Sequence, residues 1–231
     1  MQENLFTWAC KKIEAAEESL GHELSWRFLA TSSRTLSPSS RIAFIALNPG
    51  GDRIPADHGK ESSESGSAHL HEVWKSRLPQ QVDGLFKQIA SSLKASDYKS
   101  LMDDSLMAYY IPFRSRNYAS LKRKEESRAF AFQLWSQIMQ KILPELIISI
   151  DRRTFSSMHK ILTTSNKVEQ TGGREMPTGW GNYTASINCY VAPRRHIVLV
   201  RFPHLSRFKI FNRPESEPYT REIVAEMTKF M

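Results

Sequence analysis

Apolar residues along this chain recur with two different periods, and the alternation between them predicts the architecture. Leu5, Trp8, Ala9, Ile13, Ala16 and Leu20 follow near-helical spacing, so residues 3–20 are expected to form an amphipathic helix. Arg41–Leu47 is instead a nearly unbroken apolar run, the pattern of a strand buried on both faces. Val82–Leu93 returns to the helical period, Leu106–Ile111 reads as a second strand stopped by Pro112, and Glu125–Ile142 as a long helix ended by Pro144. Leu146–Ile150 and His196–Val200 are two further core strands, Tyr183–Val191 is an additional one, and 152–162 and Thr220–Phe230 read as helices. Residues 52–80 are expected to be a long polar loop acting as a lid or mobile segment, and 170–182, with four glycines and Pro177, a second loop. Strands alternating with helices imply an α/β fold: one domain over 1–231, a three-layer α/β/α sandwich with a short, mainly parallel central sheet.

In such sheets ligands bind beyond the carboxyl ends of the strands. Three polar turns fall there: Asn48–Asp52, Pro112–Arg116 and Pro203–Arg207. In the first, Asn48-Pro-Gly-Gly51 stops an apolar strand abruptly, which puts the Asn48 side chain at the rim of a cleft, and Gly50 and Gly51 let the backbone approach a ligand. The plainer reading of Asn48 is a turn cap.

Composition narrows the partner. The 231 residues are 40% apolar and 24% charged, an ordinary globular balance. No apolar run approaches the roughly 20 residues needed to span a bilayer, and Met1–Leu5 lacks a basic segment followed by a long apolar one, so a secretory leader is not expected. Cys10 and Cys189 match no metal or redox spacing, so a reducing cytoplasm is expected. Lys and Arg number 32 against 24 Asp and Glu, a formal charge of +8, which favours a polyanion such as DNA. Much of this charge flanks the turns: Arg114, Arg116, Lys122, Arg123 and Lys124, then Arg194, Arg195, Arg201, Arg207, Lys209 and Arg213. His69 and His71 form a His-x-His pair with His58 nearby, but a metal site needs a third ligand of suitable geometry, and no phosphate-binding loop or nucleophile elbow is present, so neither metal nor cofactor is expected.

Taken together, the turns resemble the uracil-DNA glycosylase superfamily over about residues 40–215. Leu47-Asn-Pro-Gly-Gly51 is similar to the first motif of its Asn-Pro-Gly branches, Ser67-Ala-His-Leu-His-Glu-Val-Trp74 to a segment that follows in some members, and Tyr110-Ile-Pro-Phe-Arg-Ser-Arg116 to their Pro-Phe-Arg turn. Thr178-Gly-Trp-Gly181 has a counterpart there, and Phe202-Pro-His-Leu-Ser-Arg207 stands where the family has its second catalytic motif, with the His-Pro order changed to Pro-His-Leu-Ser. The resemblance implies the family's sandwich fold and a DNA glycosylase that hydrolyses the N-glycosidic bond of a flipped-out base; a monomer is expected. Asn48 would orient the attacking water and His204 would stabilise the departing base. Phe113, His71 and Trp74 would help to shape the base pocket with Gly50 and Gly51, while Arg114, Arg116, Ser206 and Arg207 would hold phosphates. Tyr109 stands where many members carry the Asn that reads the uracil edge; a phenol lacks the amide's paired donor and acceptor. The base is therefore left open between uracil and a modified pyrimidine, such as a modified cytosine of phage DNA. A catalytically silent nucleic-acid-binding module and a small-molecule hydrolase are the other two readings.

Overall fold

The computed structural model describes residues 4–54, 58–166, 168–193 and 195–231; Arg194 of the basic turns lies outside them. In chain order the elements are α1 (Leu5–Leu20), β1 (Ile42–Ala46), α2 (Ala68–His71), α3 (Leu78–Ser92), α4 (Tyr98–Asp104), β2 (Leu106–Tyr109), α5 (Lys124–Ile142), β3 (Leu146–Ser149), α6 (Arg152–Thr164), β4 (Glu169–Pro177), β5 (Thr184–Ala192), β6 (Arg195–Arg201) and α7 (Glu217–Met227). The strands form one sheet in the order β2-β1-β3-β6-β5-β4.

The four apolar strands run parallel, with Ala43 opposite both Leu106 and Ile147, and Ile147 opposite Leu199. Their side chains alternate between two cores. Ala43, Ile45, Leu106, Ala108, Ile147 and Leu199 face α1, α5 and α6, packing with Ile13, Trp135 and Ile161. Ile42, Phe44, Met107, Ile148, Val198 and Val200 face α3 and α7, packing with Leu85, Ile89 and Ile223. A strand that serves two cores must be apolar at every position, which is why these strands read as continuous runs.

The sheet is mixed, however, not mainly parallel. β5 runs antiparallel to both β6 and β4, so the last three strands form a meander at one edge. Part of the segment expected to be a loop, 170–177, is β4. Seven of its nine residues are exposed in an unbroken row before Met176, and the register shifts between Gln170 and Gly172. With Met176 its one buried residue, β4 shows no alternation of apolar and polar residues; its glycines and charges are those of a protected edge strand.

The other edge is covered by a segment without helical or strand periodicity. Residues 26–31 run beside β2: Ala30 N–H donates to the Met107 carbonyl (2.8 Å), and Tyr109 N–H to the Phe28 carbonyl (3.0 Å). The described part of 52–80 is fastened to this cover. Leu29 N–H donates to the Glu61 carbonyl, Ser63 N–H to Thr31 and Ala68 N–H to Ala30, and Ser67 and Ala68 are fully buried. Residues 55–57 lie outside the described set.

Candidate functional site

The carboxyl ends of β1, β2, β3 and β6 meet in a cleft of about 600 Å³. β1 delivers Asn48. Its side-chain amide donates to Ser115 Oγ (2.8 Å) and to the Pro49 carbonyl (3.1 Å), and Ser115 Oγ in turn donates to the Asn117 carbonyl (2.9 Å). With both amide hydrogens engaged, Oδ1 is the group left to accept a hydrogen bond, and no partner for it occurs among the described residues. The turn after β2 thus fixes the orientation of a side chain at the end of β1. Ser115 was not singled out in the sequence; the signal was its place in the Pro-Phe-Arg-Ser turn beyond a strand end.

The floor is aromatic and apolar, built from Phe44, Met107, Tyr109, Trp74 and His69. Trp74 is anchored through Nε1 to the Ala68 carbonyl (2.8 Å) and lies nearly parallel to His69, with ring centroids 4.8 Å apart; Phe44 meets the same imidazole edge-on at 5.9 Å. Burial, and then the nearby Arg27 guanidinium, push the His69 imidazole down to about 4, so this ring is neutral at physiological pH. Its Nδ1 is buried without a hydrogen-bond partner. A neutral imidazole offers one donor and one acceptor, the equipment for reading a planar ligand's edge. Tyr109 lies beside it, its phenol held protonated by burial.

Behind this floor sits a buried ion pair. Arg27, 2% exposed, donates through Nη1 and Nη2 to the two Glu72 oxygens (2.7 and 2.5 Å) and through Nε to the Leu29 carbonyl. The fork-to-fork geometry satisfies a charge that would otherwise be prohibitive at this depth. His58 Nδ1 is 3.4 Å from the same Glu72. The three histidines considered for a metal therefore separate: His58 faces Glu72, His71 pairs with Asp103 at 3.4 Å, and His69 lines the cleft.

The opposite wall comes from the turn after β6. Ser206 Oγ lies 2.8 Å from His204 Nδ1, which assigns that ring nitrogen to an internal contact and leaves Nε2 for a ligand. Partial burial lowers the His204 pKa; the Asp151 carboxylate opposes this and Arg207 reinforces it. Asp151, at the end of β3, caps α6 by accepting from Thr154 N–H (2.8 Å), while its Oδ2 is buried and unpartnered. Burial raises its pKa. The sequence reading missed Asp151, although a polar residue directly after an apolar strand, three before Thr154, carries an N-cap signature.

The cleft thus gathers Asn48, Gly50, Tyr109, Trp74, His204, Arg116, Ser206 and Arg207. Gly51 sits in the same turn with φ at 90°, the left-handed region that suits glycine. Three expected residues lie elsewhere. Phe113 is fully buried in the core facing α5, stacked on His22 at 4.0 Å, because the chain after Pro112 turns its side chain away from the cleft. His71 points outward on α2 toward Asp103; the residue of that pair facing inward is His69. Arg114 is buried beneath the Asn-Pro-Gly-Gly turn, donating through Nη1 to the Gly50 carbonyl, and so shapes the turn from below. Arg116 and Arg207 stand exposed at the rim, Arg116 within 3.9 Å of Asp52.

Neither a protein-family model nor a curated protein matches this chain.

Proposed function

We propose that this protein is a DNA glycosylase that hydrolyses the N-glycosidic bond of a flipped-out base. The observation that carries the reading is the Asn48 amide: its hydrogens are tied to Ser115 and Pro49, and its oxygen is left as an acceptor at the mouth of an aromatic-floored cleft. A planar base enclosed by Phe44, His69, Trp74 and Tyr109 would present its sugar to the rim, where Asn48 Oδ1 accepts a hydrogen bond from the attacking water. The water oxygen bonds to C1′ as the C1′–N bond breaks; the bonding pair leaves with the base and the water's surplus proton passes to solvent. His204 supports the developing negative charge on the base through Nε2, its Nδ1 being held by Ser206. Arg116 and Arg207, exposed at the rim, pair with flanking phosphates in this reading.

The floor favours a modified pyrimidine over uracil. Tyr109 and neutral His69 replace the paired donor and acceptor of an amide, and the cleft is larger than a bare pyrimidine ring requires. The test is release of free base from DNA carrying uracil, hypoxanthine or a series of substituted cytosines. Release of a substituted cytosine, abolished by Asn48→Ala with DNA binding retained, supports the proposal. Folded protein that binds these DNAs and releases nothing overturns it in favour of a silent binding module.

A further inference from the structure

A second depression lies beside the cleft, and the two share Arg153. Its volume is about 630 Å³, and its walls are the N-terminal half of α5 and residues 152–160 of α6. Both helices follow the carboxyl end of a parallel strand, so the groove opens on the same edge of the sheet as the cleft. Arg128, Arg152, Arg153 and Lys160 line it against a single carboxylate, Glu125. Glu125 is engaged by Arg128 at 3.1 Å, one turn along the same helix. Arg153 lies over the Tyr118 ring at 4.2 Å, and Lys160 over Phe132 at 5.5 Å, an arrangement of cations on aromatic faces.

A groove lined by four cations and one acid, flanked by aromatic rings and continuous with a cleft, has the chemistry of a track for a nucleic-acid strand. We propose that the groove between α5 and α6 binds the phosphates of the DNA strand as it leaves the cleft, with Arg152 and Lys160 as phosphate ligands and Tyr118 as a stacking surface at the junction. This rests on the reading of the cleft as a site for a nucleotide of DNA. It extends the contact well beyond the residues at the rim.

The experiment measures the affinity of wild-type and Arg152→Gln/Lys160→Gln protein for fluorescently labelled single-stranded DNA, short or long, across a salt series. Both side chains are exposed, so the fold should persist; the thermal midpoint checks this. The double variant should bind the long strand more weakly, with a salt slope smaller by about 1.4, or ~0.7 for each lost phosphate. The short strand, confined to the cleft, should lose much less. Lys99→Gln, outside both cavities, is the control. A slope unchanged for the long strand, or equal losses for both lengths, overturns the track. Should the double variant misfold, photo-crosslinking long DNA to wild-type protein replaces it: crosslinks to 118–132 and 152–160 support the track, and their absence overturns it. The two readings fail separately. Base release with an unaltered salt slope removes the track and keeps the glycosylase; strand binding through the groove without base release does the reverse.

Discussion

Acidification should destabilise this protein in two separable stages, the first governed by His69. Its imidazole, buried in the cleft floor, has a pKa of about 4 in the folded chain against an ordinary 6.5. Between these values the unfolded chain binds a proton that the folded one does not, so stability rises with pH across the window and is lost as pH falls through it. A shift of that size corresponds to about 3 kcal/mol, a large part of the roughly 5–15 kcal/mol that holds a typical domain together. His22 and His204 are also held below the ordinary histidine value, by burial first, so the wild-type slope exceeds the contribution of His69 alone. His69→Phe keeps a flat ring against Trp74 and removes the titration. Urea unfolding followed by tryptophan fluorescence between about pH 7 and about pH 4.5 should show the variant losing less stability, the difference reaching at most about 1.4 kcal/mol per pH unit. The second stage belongs to carboxylates such as Glu64. Against the desolvation that would raise it, hydrogen bonds from Ser62, Ser33 and Ser32 hold Glu64 at about 2, so its contribution disappears only as pH falls from 4.5 towards 2. Equal slopes for wild type and His69→Phe, or an NMR titration of His69 near 6.5, would refute the buried neutral imidazole.

Three further outcomes are expected. Glu72→Gln should destabilise the fold by about 3–5 kcal/mol by leaving Arg27 buried without its counter-charge, whereas Arg27→Met/Glu72→Leu should recover most of the loss; denaturation midpoints that rank the double variant below the single one would contradict this. Asp151→Asn keeps the cap on Thr154 N–H but removes a buried charge, so stability near neutral pH should hold or rise, while the His204 pKa falls further because its favourable neighbour is gone. An NMR titration of His204 unaffected by the substitution counts against this coupling. Ser115→Ala frees the Asn48 amide to rotate, and if base release is the activity, kcat should fall by about tenfold or more with little change in KM; a change confined to KM would assign Ser115 to binding.

The layers of the fold were legible because burial on both faces leaves a plain mark. Ile42–Ala46 and Leu146–Ser149 are apolar at nearly every position, and the helices between strands keep a one-sided period. Strand ends were legible for the same reason: Asn48 and Pro112 interrupt runs that have no other cause to stop. β4 left no mark, since an exposed edge strand buries almost nothing. The cover over β2 left none either; Trp26, Phe28 and Leu29 are buried through long-range pairing with β2 and with Phe113 beyond it, which local periodicity cannot report.

By itself the sequence determined that the turns after the four apolar strands fall at one edge of the sheet, because each of those strands is followed by a helix; the antiparallel pairing of β5 with β4 and β6 was decided by the tertiary structure. The sequence also determined the excess of positive charge around those turns. The tertiary structure alone decided where each turn's side chains point. Of His69 and His71, two residues apart, it sent one into the cleft and the other to solvent; it placed Phe113 and Arg114 beneath the surface; and it brought Asp151, Ser115 and Arg27 to the site from three distant segments. Side-chain direction depends on the rotation of a short helix or turn against its neighbours, and that rotation is set by packing between segments far apart in the chain.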